Sequence, residues 1–221
     1  MFDINSAVQT IVILLVAITW HELAHALTAQ YLGDDTPRLA GHLSLNPFRH
    51  MDQSGILLLF LSAFAGFGFA YGFTPVTERN LRPDAKTGGG IVAVVGPISN
   101  IILAALIAIP LRFGLVNVDP YSSTFNPQVF DIAVRAIELN LFLAVFNIIP
   151  LPPLDGWRVL KTFLSPRQLY ELRGVEQYGT LILFVIFIFG ARLGFYHFLS
   201  ATFIVPLWTL LLPSIPYPFY F

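Results

Sequence analysis

The chain has 221 residues, of which 56% are hydrophobic and 11% are charged, and its formal net charge at pH 7 is −1. A soluble domain carries about 25% charged residues, so this composition is typical of an integral membrane protein. The lack of cysteine excludes disulfides and thiolate metal sites, and no basic block is present to track nucleic acid.

The first apolar run, residues 4–32, contains Glu22 as its only Asp, Glu, Lys or Arg. It is long enough to cross a bilayer, which takes about 20 mostly apolar residues, and too long for a signal-peptide core. Within it stands the pattern His-Glu-x-x-His, beginning at His21. On a helix His21 and His25 share one face, which suits a zinc ion and leaves Glu22 free as a base. Ionisable groups at membrane depth usually mark function.

Two more apolar runs follow in the chain. A polar stretch leads into the second run, residues 53–77, and a polar loop leads into the third, residues 87–111. We expect the third helix to start near Gly90, with the first turns kinked or reset by Pro97.

The fourth apolar run, residues 139–154, ends in several prolines and is followed by Asp155. Proline removes N–H donors and favours extended backbone, and such backbone at membrane depth must be packed in protein or line a wet cavity. Because a catalytic zinc ion usually has three protein ligands, spacing makes Asp155 the leading candidate for the third. The alternative is that Asp155 caps the helix that follows.

These runs predict an all-α, polytopic membrane protein with five or six transmembrane helices. We predict a single transmembrane peptidase domain over residues 1–221, with a catalytic core at about residues 5–160 and C-terminal helices at about residues 177–213. If every run crosses in turn, the N-terminal side holds seven Lys and Arg against four on the other side. The positive-inside rule then favours a cytoplasmic N-terminus.

Two motifs together resemble the site-2 protease family of intramembrane zinc metalloproteases. The first is the His-Glu-x-x-His pattern, and the second is Asn147-x-x-Pro150-x-Pro152-x-Leu154-Asp155-Gly156. Further matches are Leu45-Asn46-Pro47-x-x-His50-x-Asp52-x-x-Gly55 and Gly96-Pro97-x-x-Asn100. The family often has Arg near His42 and Lys-Pro near Thr74-Pro75, so this chain departs from the pattern there.

The resemblance implies that His21, His25 and Asp155 bind one Zn²⁺ per chain and that Glu22 is the general base. It implies hydrolysis of peptide bonds within or near transmembrane segments of other membrane proteins, as in regulated intramembrane proteolysis, in the cell membrane of a prokaryote. Residues 33–55 resemble the family's short membrane-associated hairpin, which presents a strand edge to an unwound substrate. The chain resembles a short form without PDZ or CBS domains.

Three further residues are candidate supporting groups. Asn100 either donates to the oxyanion of the tetrahedral intermediate or forms an interhelical hydrogen bond. His50 orients the substrate, supports the site from behind the ligands, or contributes to the turn around Asn46-Pro47. Asn147 is a candidate to line a water channel or support the site. His42 and His197 are predicted to be interfacial or packing residues.

Two other functions remain open. A catalytically silent relative would bind transmembrane helices without cutting them, but it would have no need of Glu22. A metal-ion transporter would want ligands repeated along a path, and the sequence offers one cluster. The predicted partners are transmembrane substrates and the lipid bilayer, with the oligomeric state open. Two histidines and a carboxylate suit zinc better than iron or cobalt.

Overall fold

The structure, a computed structural model, describes residues 4–64, 70–190 and 192–218. These residues form helices and loops without any strand, which confirms the all-α prediction for them. The helices are α1 (Ile4–Tyr31), α2 (Thr36–Leu39), α3 (Gln53–Phe64), α4 (Ala85–Arg112), α5 (Pro127–Asn147), α6 (Asp155–Lys161), α7 (Pro166–Glu171), α8 (Arg173–Phe189), α9 (Phe195–Leu199) and α10 (Val205–Leu211). A π-helical segment, Ser200–Ile204, joins α9 to α10, and 3-10 turns occupy Pro47–Arg49 and Glu78–Asn80.

Within the described part of the chain, α1 and α4 are the two helices that are long and apolar enough to cross a membrane. Each has 28 residues, more than the about 20 that a bilayer requires. Helix α3 has 12 residues and α8 has 17, and α5 carries Asp131, Arg135 and Glu138 along its 21 residues. The count of five or six spans therefore stays a prediction.

Helix α4 packs antiparallel against α1. The indole of Trp20 donates a hydrogen bond to the carbonyl of Ser99 (3.0 Å), whereas His25, further along α1, contacts the earlier Val92. The helix begins at Ala85, before the predicted start near Gly90. The reason is that the Asp84 carboxylate accepts hydrogen bonds from the first free N–H groups of the helix.

Residues 33–55 do not form a hairpin. They contain α2 and the turn Pro47–Arg49, and none of them lies in a strand. Pro37 and Pro47 each stand in the first turn of a helical segment, where the missing N–H costs nothing. In a strand, the same prolines would remove a hydrogen-bond donor from the ladder. The predicted hairpin with an exposed strand edge is therefore wrong for this stretch.

After α3 the chain comes back along α1. Residues 65–69, part of the predicted second apolar run, lie outside the described residues. Residues 70–77, which we name the returning segment, have no regular secondary structure. The N–H of Phe73 donates to the carbonyl of His50 (2.9 Å), and the N–H of Arg82 donates to the carbonyl of Leu32 (2.9 Å). The loop before α4 therefore lies at the C-terminal end of α1.

This return overturns the prediction that the apolar runs cross in strict alternation. Residues that follow α1 and residues that precede α4 lie at one end of the α1–α4 pair. Helices α6 and α7 lie there too, since the ammonium of Lys86 donates to the carbonyl of Leu164 (2.7 Å). Nine of the twelve Lys and Arg of the chain fall in these elements: Arg38, Arg49, Arg79, Arg82, Lys86, Arg158, Lys161, Arg167 and Arg173. We call this end of the molecule the basic end.

The proline-rich break after α5 brings the chain back to α1. Helix α5 ends at Asn147, and α6 begins at Asp155 with Leu154 as its N-cap and no side-chain cap. Asp155 is thus the first residue of α6 and does not act as its cap. A Cβ on Gly156 would overlap the carbonyl of Ile148, so glycine is required where the break packs this closely.

Candidate metal centre

The three predicted ligands meet in the interior of the structure. The Nε2 atoms of His21 and His25 are 3.0 Å apart, and they lie 3.0 and 3.2 Å from the same Asp155 oxygen, Oδ2. All three side chains are buried. In the described part of the chain they form the one group of three or more His, Asp and Glu whose ligand atoms all lie within 4.8 Å of one another.

Hydrogen bonds to the far side of each ring select the tautomer of both histidines. Nδ1 of His25 contacts the carbonyl of Val92 (2.7 Å), which can only accept, so this nitrogen carries the proton. Nδ1 of His21 contacts Oδ1 of Asn100 (2.6 Å), the oxygen of an amide whose nitrogen donates to Oδ1 of Asn140 (2.9 Å). Both Nε2 lone pairs therefore face the centre of the group.

The group fits a zinc ion. Two imidazole lone pairs and a carboxylate oxygen are all acceptors, and acceptors held about 3 Å apart without a cation repel one another. Two nitrogens and one oxygen form a donor set that zinc accepts, with a fourth position left for water or substrate. A Cβ on Gly96 of α4 would overlap the rings of His21 and His25, so glycine allows α4 to pass this close to the group.

Glu22 lies beside the candidate metal-binding group, which consists of His21, His25 and Asp155, and is not part of it. The side chain is buried, and its Oε2 accepts a hydrogen bond of 2.8 Å from the hydroxyl of Thr74. A cavity of about 80 Å³ lies against Glu22 and the group. Its lining includes Ile18, His21, Tyr71, Gly72, Leu143, Asn147, Leu154, Asp155 and Leu183. The cavity holds polar groups and has room for water.

Asn100 lies behind His21, away from the lining of this cavity. Its Oδ1 accepts from His21, and its Nδ2 donates to Asn140 and, at 3.3 Å, to the carbonyl of Ala17. Asn140 in turn donates to the carbonyl of Ala136 (2.8 Å). Both N–H bonds of the Asn100 amide are therefore used within the protein, which agrees with an interhelical hydrogen-bonding role and leaves no donor aimed at an oxyanion.

Asn147 and His50 occupy different places. Asn147 lines the cavity, and its Nδ2 donates to the carbonyl of Leu143 (3.0 Å). An amide nitrogen carries a second N–H, which makes Asn147 a candidate donor at the cavity. His50 is fully buried at the basic end, where its Nε2 contacts the carbonyl of Ser44 (2.7 Å). Its ring packs edge-on to that of His42, with centroids 5.4 Å apart. The structure brings Asn147 to the cavity and leaves His50 outside it.

Two contacts of this site were not predicted from the sequence. No pattern points to the carbonyl of Val92, because every residue has a carbonyl. The position of Thr74 could have been noticed, because the family that this chain resembles often has lysine near it. That difference alone does not predict that the Thr74 hydroxyl contacts Glu22. His42, predicted to be an interfacial or packing residue, is buried against the ring of Phe73, with centroids 5.3 Å apart, and burial lowers its pKa.

Several known proteins are similar to this chain. Putative zinc metalloprotease YwhC of Bacillus subtilis is 37% identical over 182 residues, which cover 80% of this chain and 79% of YwhC. Putative zinc metalloprotease Rip2 of Mycolicibacterium smegmatis is 30% identical over 179 residues, covering 79% of this chain and 64% of Rip2. Putative zinc metalloprotease MJ0611 of Methanocaldococcus jannaschii is 29% identical over 164 residues, covering 71% and 73%. No family model and no solved structure matches the chain.

Proposed function

The chain belongs to the zinc metalloprotease family that includes YwhC and Rip2, and we propose that it is an intramembrane endopeptidase of the site-2 protease type. The observation that carries the proposal is the meeting of two Nε2 lone pairs and one carboxylate oxygen beside a separate buried carboxylate, Glu22. A protein that only bound helices would not need that second carboxylate.

The membrane setting of the proposal rests on the helix that carries the site. Helix α1 is long and apolar enough to cross a bilayer, and the histidines are part of it. His25 is six residues from Tyr31, which is about 9 Å along a helix axis. The site would therefore lie inside the membrane near the face at the basic end, and the substrates would be transmembrane segments that reach this depth.

The chain's own residues have separate tasks in the proposed reaction. Zinc held by His21, His25 and Asp155 would supply a Lewis acid that polarises the scissile carbonyl and acidifies water. Glu22 takes the proton of the attacking water and delivers it to the leaving amine. Asn147, which lines the cavity, donates to the carbonyl oxygen as negative charge develops there.

The substrate must change shape before it can react. A transmembrane helix hydrogen-bonds its own carbonyls, so it has to unwind locally before one of them can be attacked. A cavity of about 80 Å³ is far too small for an intact helix, which is about 10 Å wide. We therefore expect helix-destabilising residues in a substrate to speed its cleavage.

The proposal is tested by measuring metal content and cleavage together. We would purify the wild type, Glu22→Gln and His21→Ala, with Glu171→Gln on α7 as the control, and incubate each with a model transmembrane substrate. The expected result is one zinc per chain in all but His21→Ala. Cleavage should occur in the wild type and the control and fall by roughly 100-fold or more in Glu22→Gln. A chelator should abolish cleavage, and added zinc should restore it.

Other outcomes would favour other functions. A folded wild type without zinc would overturn the metal site. Zinc in both the wild type and Glu22→Gln with cleavage in neither would favour a silent, helix-binding relative. Loss of zinc on Glu22→Gln would assign that carboxylate to metal binding or transport.

A further inference from the structure

The Glu22 carboxylate is held from one side by a single hydroxyl. Oγ1 of Thr74 lies 2.8 Å from Oε2 of Glu22 and 3.0 Å from the main-chain oxygen of the same residue. A hydroxyl has one proton to donate, and a carboxylate is the stronger acceptor of the two. The Thr74 side chain is itself buried, so little water competes for this hydrogen bond.

The other side of the Glu22 side chain is held by close packing. A Cβ on Gly72 would lie 2.9 Å from Cγ and 3.0 Å from Oε1 of Glu22, distances that require a neighbour to move. Gly72 and Thr74 are two positions apart in the returning segment, so one short stretch of chain lies against the Glu22 side chain and also supplies the hydroxyl that donates to Oε2. The rotation of the Glu22 side chain is restricted from both directions.

The returning segment is itself anchored by groups that do not touch Glu22. The N–H of Phe73 donates to the carbonyl of His50 (2.9 Å), and the N–H of Thr77 donates to Oδ2 of Asp34 (2.7 Å). These anchors lie on both sides of Thr74 in the chain. The position of the Thr74 hydroxyl is therefore fixed by contacts other than the one with Glu22, as a preorganised support requires.

We propose that Thr74 is a positioning residue that holds Oε2 of Glu22 and leaves Oε1 for proton transfer at the cavity. The inference rests on the proposed function, because it assigns a support to the general base of that reaction. Thr74 is not among the residues that line the cavity, and it acts through Glu22.

The hydroxyl is tested by two substitutions of Thr74 and one matched control. Thr74→Val keeps the shape and removes the donor, and Thr74→Ser keeps the donor. The control is Thr19→Val, because Thr19 is buried in α1 and its hydroxyl donates only along its own helix, to Leu15 (2.6 Å). We expect Thr74→Val to lower kcat by roughly ten- to a hundred-fold, the worth of one hydrogen bond to a charged group.

The pattern across the variants separates positioning from general damage. KM and the zinc content of Thr74→Val should match the wild type, Thr74→Ser should recover most of kcat, and Thr19→Val should behave as wild type. An unchanged kcat in Thr74→Val would overturn the inference. So would a fall in kcat that Thr74→Ser does not rescue.

A second measurement does not depend on activity. In a double-mutant cycle of thermal unfolding, Thr74→Val should lower Tm more in the wild type than in a Glu22→Ala background, where the hydroxyl can still donate to the main-chain oxygen of residue 22. Additive changes in Tm would show that the two side chains do not interact and would overturn the inference. An inactive wild type would instead overturn the proposed function, and the cycle would still decide whether the hydroxyl holds the carboxylate.

Discussion

The two histidines of α1 illustrate how a buried polar residue is used at the scale of single side chains. Each imidazole presents the lone pair of Nε2 to the candidate metal site because its Nδ1–H donates a hydrogen bond to an acceptor on α4. For His25 the acceptor is a main-chain carbonyl, which no substitution removes. For His21 it is the side chain of Asn100, which a single substitution deletes. A substitution can therefore remove the Nδ1 acceptor of His21 but not the Nδ1 acceptor of His25.

The first prediction concerns this support of His21. Asn100→Leu removes the acceptor for Nδ1, so His21 loses the hydrogen bond that orients its ring, and we expect zinc affinity to fall by roughly 10- to 100-fold. Asn140→Leu is the matched comparison, because Asn140 bonds Asn100 but not His21, and its effect should be smaller. Metal titration of the purified variants measures both. Equal zinc affinity in Asn100→Leu and the wild type would contradict the prediction.

At the scale of elements, the site depends on how closely α4 approaches α1. Small buried residues lie at the contact: Ala17 on α1, whose carbonyl accepts from Asn100, and Gly96 on α4, which faces the rings of His21 and His25. Small side chains let helix backbones come together, which is the usual basis of helix association in membranes. The close approach also sets the distance from α4 to the histidine rings. Packing and ligand geometry are thus controlled by the same residues.

The second prediction follows from that approach. Gly96→Ala would place a methyl group into the rings of His21 and His25, so the variant should bind less than one zinc per chain and lose roughly 1–3 kcal/mol of stability to overpacking. Gly174→Ala is the control, since a Cβ there meets no atom within 4 Å and alanine favours the helix. Metal analysis and thermal unfolding test both. Normal zinc content in Gly96→Ala would contradict the prediction.

The returning segment is anchored by the buried carboxylate of Asp34. Asp34 is fully buried at the basic end, and it accepts from the Thr36 hydroxyl (2.6 Å), the Thr77 N–H (2.7 Å) and the Asn80 amide (3.0 Å). Burial raises its pKa, but these hydrogen bonds outweigh burial and hold the pKa of Asp34 below its ordinary value. The ionised side chain therefore joins α2, the returning segment and the loop before α4.

The third prediction is a pH dependence of stability. Because the pKa of folded Asp34 lies below the unfolded value of about 3.9, its contribution is complete above that value and is lost as the pH falls through the folded pKa. Asp34→Asn should lower Tm at neutral pH and lose less stability than the wild type on acidification. The neighbour Asp35 is exposed and pairs with Arg38, so Asp35→Asn is the control. An acid-induced fall in Tm as large in Asp34→Asn as in the wild type would contradict this.

At the scale of the whole molecule, the charge distribution is one-sided. Nine of the twelve Lys and Arg lie at the basic end, and Arg112 and Arg135 lie at the end of α4 and the start of α5, towards the N-terminus of α1. If α1 and α4 cross the membrane, the positive-inside rule places the basic end in the cytoplasm. The N-terminus would then lie outside, the reverse of the orientation predicted from strict alternation.

The fourth prediction tests this orientation directly. The chain has no cysteine, so single cysteines can be introduced at exposed positions and labelled with a membrane-impermeant maleimide. We expect Arg38→Cys and Arg167→Cys to be labelled from the cytoplasmic side only, and Tyr121→Cys from the opposite side only. Labelling of Arg38→Cys and Arg167→Cys from different sides would contradict this arrangement and favour a second apolar run, residues 53–77, that crosses the membrane.

The sequence alone was enough to propose the chemistry of the site. Residues one to four positions apart are placed by the helix itself, so the relation of His21, Glu22 and His25 could be predicted without a tertiary structure. The all-α class followed in the same way from the lengths of the apolar runs. Asp155 was only a leading candidate from spacing, because a proline-rich break has no period, and the family resemblance was needed to name it a ligand.

Only the tertiary structure decided which distant groups meet. Thr74 and Glu22 are 52 positions apart, and His21 and Asn100 are 79 apart, so their contacts depend on how the whole chain packs. The predicted strand edge and strict alternation were wrong for the same reason. An apolar run has the composition of a span whether it crosses or turns back, and the anchors that turn this one back, Asp34 and His50, lie elsewhere in the chain.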